Sequence, residues 1–155
     1  MWNAWAKGYK LGVQAASDHV STHISFACTI SEDGSRAGLL EAMRKRHSYA
    51  ATDNIVLDYR MRSGGREFLQ GDIATVSGTF RLWIHVIGTE PIRQIDIIRN
   101  QEFVLNRQNL GREVSLEFTD SDPGEGENYY YVRIQQADGQ LAWSSPIWIT
   151  RASGS

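Results

Sequence analysis

Residues 129–149 read YYYVRIQQADGQLAWSSPIWI. Tyr130, Val132 and Ile134 alternate with Tyr131, Arg133 and Gln135, the period of two of a strand with one face buried. Asp138-Gly139 follows as a strong two-residue hairpin signal. Beyond it Leu141, Trp143, Ile147 and Ile149 share a parity broken only by Ser145. Two antiparallel strands are expected, with Trp143 on the core side.

The same period runs back to Asn54. Ile55, Leu57, Tyr59 and Met61 alternate with Val56, Asp58, Arg60 and Arg62. Phe80, Leu82, Ile84 and Val86 form a second such run, Ile95 and Ile97 a third, and Val114, Leu116 and Phe118 a fourth. Gly64-Gly65, Gly71-Asp72, Gly88 to Pro91, Asn100-Gln101 and Asp122-Pro123-Gly124 separate them as turns. With Phe103–Leu105 this makes about seven short strands, the pattern of an antiparallel β-sandwich. The Cys…Trp…Cys spacing of antibody domains is absent. A tyrosine of Tyr129-Tyr130-Tyr131 suits either the tyrosine corner of immunoglobulin-like folds or cross-strand aromatic packing.

Upstream the period is helical. Trp2, Trp5, Ala6 and Tyr9 share one helix face, predicting a helix over 2–10 stopped by Gly12. Residues 12–16 read as a short buried strand, and 24–30 as a second strand or buried loop. Ser35 caps a helix over 36–47, whose last turn carries Arg44, Lys45, Arg46 and His47 against the helix dipole. The expected fold class is α+β, mainly β. An immunoglobulin-like sandwich over 54–150 is preceded by a small helix–strand–helix unit over 1–53 and followed by a flexible tail, 151–155.

The chain has 155 residues, 41% hydrophobic and 22% charged, with a net charge of −2. That size fits one domain, or one domain plus a fragment. The charge gives no general attraction to nucleic acid or anionic membranes. No apolar run approaches a membrane span. The lone cysteine, Cys28, excludes an internal disulfide framework.

Chemistry-bearing residues concentrate in Gly12–His23, GVQAASDHVSTH. Asp18, His19 and His23 offer a carboxylate and imidazoles, a donor set suited to zinc, manganese or iron. Three protein ligands and an open position suffice for a catalytic metal. Adjacent residues of a strand face opposite ways, so Asp18 and His19 converge only past the strand's end. The competing reading makes Asp18 a turn cap and the histidines ordinary loop residues. That reading is preferred for this chain alone. Trp83 and Trp148 sit on the parity opposite their apolar neighbours. Exposed together on one flat face, they would form a binding platform for a carbohydrate or a protein.

The order of these parts resembles the C-terminal region of bacterial multidomain proteins of the polymerase-and-histidinol-phosphatase (PHP) superfamily. The resemblance is strongest at Ser17–Ser25, Ala42–Thr52 and Tyr129–Ile149. It implies that residues 1–53 are the end of a distorted α/β barrel and 54–150 an accessory sandwich. It implies a parent protein that is a metal-dependent phosphoesterase holding zinc, manganese or iron. Asp18 would be its carboxylate ligand, with His19 or His23 as the histidine. The usual motif has one residue between Asp and His; here His19 is adjacent and position 20 is Val20. The other family motifs are absent, so the isolated chain is expected to hold no cofactor and to lack turnover. The implied partner is the missing catalytic barrel, with a homodimer of the fragment as an alternative cover for its N-terminal segment.

Overall fold

The computed structural model describes residues 1–17 and 24–152. Asp18, His19 and His23 therefore lie outside the described residues. In chain order the elements are α1 (Trp2–Ala6), β1 (Phe26–Thr29), α2 (Arg36–Arg44), β2 (Ser48–Ala51), β3 (Val56–Ser63), β4 (Arg66–Leu69) and β5 (Ile73–Val76). Then follow β6 (Arg81–Ile87), β7 (Ile92–Arg99), β8 (Glu102–Gln108), β9 (Glu113–Phe118), β10 (Glu127–Gln136), β11 (Leu141–Ser144) and β12 (Ile147–Arg151).

Two sheets enclose one core. The smaller runs β4-β3-β6-β9, antiparallel throughout. The larger has eight strands and is centred on β10. One edge of β10 pairs with β7, which carries β8. The other edge pairs first with β11 and then with β12. β11 carries β2 and β1, and β12 carries β5, the one parallel pairing among the described strands. The core between the sheets takes Leu57, Tyr59, Leu82, Ile84 and Val86 from one side and Ile95, Ile97, Val132 and Ile134 from the other. These are the residues that alternation selects.

The hairpin at Asp138-Gly139 forms, with a loop of one more residue than expected. Gln136 and Gln140 still pair, through Gln136 N–H to Gln140 O. Gly139 sits at φ +88°, closing a turn in which its N–H donates to Gln136 O. This is the three-residue loop with a left-handed last position.

The partner strand is not continuous. Arg133 faces Trp143 and Tyr130 faces Ile147. Two residues of β10, Tyr131 and Val132, thus oppose three, Ser144-Ser145-Pro146. That extra residue is a β-bulge, and it moves all later side chains to the other face. Ala142 and Ile147 consequently share the sandwich core although their parities differ. Trp143 packs instead on the outer face of the larger sheet, correcting the core position expected for it.

The N-terminal region also departs from expectation. α1 ends at Ala6 rather than residue 10. Gly8, at φ +85°, donates to Trp5 O, and Tyr9 N–H donates to Ala4 O, which closes the helix in a Schellman motif. Residues 12–16 form no strand; they run as an irregular segment across the larger sheet. α1 covers that sheet's outer face, where Trp5 lies 5.7 Å from the Tyr129 ring and 5.0 Å from the Tyr131 ring. α2 runs Arg36–Arg44 with Ser35 Oγ accepting from Gly38 N–H, the expected cap. β1 and β2 are built into the larger sheet, so the chain does not divide structurally at residue 53. Arg151 belongs to β12 and Ala152 N–H donates to Val76 O, so the expected tail begins inside the sheet. β2, β4 and β5 are strands that the sequence pattern does not single out.

Candidate functional site

The Ser145 bulge is where the N-terminal segment is fastened. Val13 N–H donates to Ser145 Oγ at 2.9 Å, and Ser48 Oγ donates to Val13 O at 2.9 Å. The two hydroxyls are 3.3 Å apart. Ser48 spends its proton on Val13, so Ser145 is the donor between them. Both serines are buried, and Val13 is 8% exposed. An irregular segment thereby has its backbone groups satisfied by side chains rather than by a ladder. Four residues on, Ser17 Oγ accepts from Ser25 N–H at 2.7 Å. The two ends of the segment carrying Asp18, His19 and His23 are thus one hydrogen bond apart.

A second junction ties the turn between α2 and β2 to the turn between β4 and β5. His47 Nε2 lies 2.8 Å from Asp72 Oδ1, and Leu69 N–H donates to Asp72 Oδ2 at 2.8 Å. Burial raises the Asp72 pKa, but the hydrogen bonds from His47 and Leu69 outweigh it and hold the carboxyl below its usual range. A cavity of about 430 Å³ opens beside this pair, lined also by Lys45, Arg60 and Glu67. Arg60 donates to Asp58 at 2.8 Å and to Glu67 at 2.5 Å, so its guanidinium is already engaged. Among the described residues no three His, Cys, Asp or Glu side chains converge as a metal-ligand group.

The two tryptophans do not form one platform. Trp83 is half-buried on the outer face of the smaller sheet, stacked on His85 at 5.9 Å with Arg62 5.1 Å above its ring. Trp148 is on the larger sheet and 1% exposed, under Lys10 and Arg46 at 5.4 and 5.6 Å. Parity places Trp148 correctly on the non-core side of its strand. That side is covered by the N-terminal segment, so the expected exposure is corrected to burial. Tyr130, in the tyrosine triplet, donates to the Asp120 carboxylate at 2.9 Å, whereas a tyrosine corner bonds backbone.

The chain is similar to proteins of three Chlamydia species. A protein of Chlamydia pneumoniae is 34% identical over 128 residues, and one each from Chlamydia trachomatis and Chlamydia muridarum is 33% identical over 129. All three are described as uncharacterised. Each match covers 74% of this chain and 21% of the relative. The chain spans about a fifth of the length of the curated relatives it matches. No family model and no solved structure matches. No helix among the described residues is long and apolar enough to cross a membrane.

Sequence reasoning misses Ser48 and Ser145 as anchors, and Asn100, Asn128 and Tyr129 as the polar lining of a cleft between α1 and the larger sheet. Ser145 does leave a trace, since it is the residue that interrupts the last alternating run. Asn100 leaves another, in a two-residue turn that places it at φ 55°.

Proposed function

We propose that this chain is the accessory C-terminal region of a PHP-type metal-dependent phosphoesterase. In this reading the sandwich is non-catalytic and packs on a barrel supplied by the rest of a longer protein. Asp18, with His19 or His23, adds ligands to a metal site whose other ligands lie outside this chain. The supporting observation is the Ser17–Ser25 bond together with the Val13 anchor. The first joins the two ends of the segment that carries Asp18–His23, and the second fastens its approach to the larger sheet, as a ligand-bearing loop requires. The greater length of the chlamydial relatives agrees with it. Carboxylate and imidazole donors suit zinc, manganese or iron, and such an ion would supply Lewis-acid activation of a phosphoester. This chain's own residues would then orient the loop.

The test is metal content and p-nitrophenyl phosphate turnover of the full-length protein, with and without the triple substitution Asp18→Ala, His19→Ala and His23→Ala. Loss of metal stoichiometry and of turnover is expected. Unchanged metal and unchanged turnover would remove Asp18, His19 and His23 from the site. The alternative, an immunoglobulin-like carbohydrate- or protein-binding sandwich, retains only Trp83 of its two aromatic positions.

A further inference from the structure

α2 turns its apolar side to water. A surface helix normally buries its apolar stripe and gives its charges to solvent. Arg36–Arg44 carries three large apolar residues, Leu39, Leu40 and Met43, which are 41%, 43% and 49% exposed. Ala42 is the one buried residue of the helix. The opposite side, with Gly38, Glu41, Ala42 and Lys45, lines the cavity beside His47 and Asp72. The orientation is held at both ends. Ser35 Oγ accepts from Gly38 N–H at 3.1 Å, and Ile30 N–H donates to His47 O at 2.8 Å across the base of the excursion.

Leu39 and Leu40 precede Met43 by four and three residues, so the three side chains form one stripe. Arg36 stands one turn before the leucines and Arg44 one turn after Leu40. Arg44 also approaches Glu41 at 3.9 Å, but both side chains are exposed and such a pair holds weakly. The stripe thus has a guanidinium at each end. Beyond Met43 it runs into a recess of about 300 Å³ beside Met1, Gly12 and Gln14. It is therefore contiguous with the segment anchored at Val13 that leads to Asp18.

The extent of the stripe selects its occupant. Three side chains, each less than half exposed, offer far less than the roughly 800 Å² per partner of a stable complex between free molecules. A tethered surface needs less, because the tether holds the two sides at an effective concentration of about millimolar. Each chlamydial match covers 21% of the relative, so most of such a protein lies outside the matched region and is available as a tethered partner. We infer that the Leu39–Leu40–Met43 stripe is the seat by which this region docks on the remainder of a longer polypeptide, in an apolar groove with a carboxylate at each end. The inference rests on the reading of this chain as an accessory region. It adds the surface, a helix laid in a groove, and the chemistry of the receiving side, where carboxylates meet Arg36 and Arg44.

The experiment is photocrosslinking of the full-length protein carrying Leu40→p-benzoylphenylalanine, with the joined peptides mapped by mass spectrometry. A crosslink within one molecule, from position 40 to a peptide outside residues 1–155, is expected. Met43→Glu should cut its yield at least about fivefold, because docking would bury the new charge. The same variant should leave hydrogen exchange in β3, β6 and β10 unchanged, since Met43 lies outside the core. Arg36→Glu should cut the yield by a smaller factor. Crosslinks confined to residues 1–155, crosslinks only between two copies, no crosslink, or a yield that Met43→Glu leaves unchanged would each overturn the proposal. Metal content is measured on the same sample. A crosslink without metal keeps the seat and removes the phosphoesterase reading; metal that depends on Asp18, His19 and His23 without a crosslink removes the seat alone.

Discussion

On the inner face of the larger sheet, Ile95, Ile97, Val132 and Ile134 meet a second sheet; on its outer face, Tyr129, Tyr131 and Trp148 meet one short helix and an irregular segment. The inner face is mostly aliphatic, and its two tyrosines reach fixed partners, Tyr130 donating to the Asp120 carboxylate and Tyr49 to Ile55 O. The outer face is aromatic, and its rings carry polar groups that the cover must address. Trp5 Nε1 donates to Leu11 O at 2.9 Å, and Trp2 Nε1 donates to the Tyr131 hydroxyl. Burial pushes the Tyr131 phenol up to about 12. Two sheets packed by alternation form a self-sufficient core. A face closed by a few residues of irregular chain depends on individual contacts.

The comparison breaks most sharply in the shared core. Ile84 is fully buried between the sheets, so Ile84→Ala should cost about 4 kcal/mol in urea unfolding and lower protection from hydrogen exchange in both sheets. Trp5→Ala should cost about 3 kcal/mol, yet raise exchange mainly in residues 1–17 and along β10. Equal exchange patterns for the two variants would mean that the outer cover is no more separable than the core.

The smallest effect belongs to the His47–Asp72 seam between the α2–β2 and β4–β5 turns. Asp72 is held below its ordinary pKa, so its contribution is present above about pH 3.9, the unfolded value, and is lost as pH falls through the folded value. The Tm difference between the wild type and Asp72→Asn should therefore be full at neutral pH and close on acidification below about pH 4. A constant difference across that range would assign the seam to packing rather than to charge.

The sequence makes the inner face legible and the outer face obscure, for a physical reason. Alternation reports which side of a strand is apolar. It marks Leu57, Leu82, Ile84 and Val132 without ambiguity, because both neighbours of each are polar or lie on the opposite face. It fails where the register shifts. One extra residue at Ser145 moves Trp143 out of the core and leaves Trp148 facing the same way as Trp143. It also says nothing of what lies above a face, so the cover over Trp148 was invisible. The strand expected over 12–16 is absent because Ser48 and Ser145 provide the bonds a neighbouring strand would give. The polar lining of the cleft is made by Asn100, Asn128 and Tyr129, which are ordinary turn and strand residues until the fold brings them together.

The position of β10 has a consequence for the nascent chain. The four strands of the smaller sheet lie within residues 56–118 and can find one another before the rest has left the ribosome. The larger sheet has no centre until Glu127–Gln136 emerges, and β5 has no partner until β12 follows. During that interval the apolar side of the smaller sheet faces water. The order of emergence thus makes the last quarter of the chain the step that shields it, and gives the exposed side of β3 and β6 to any chaperone that waits there.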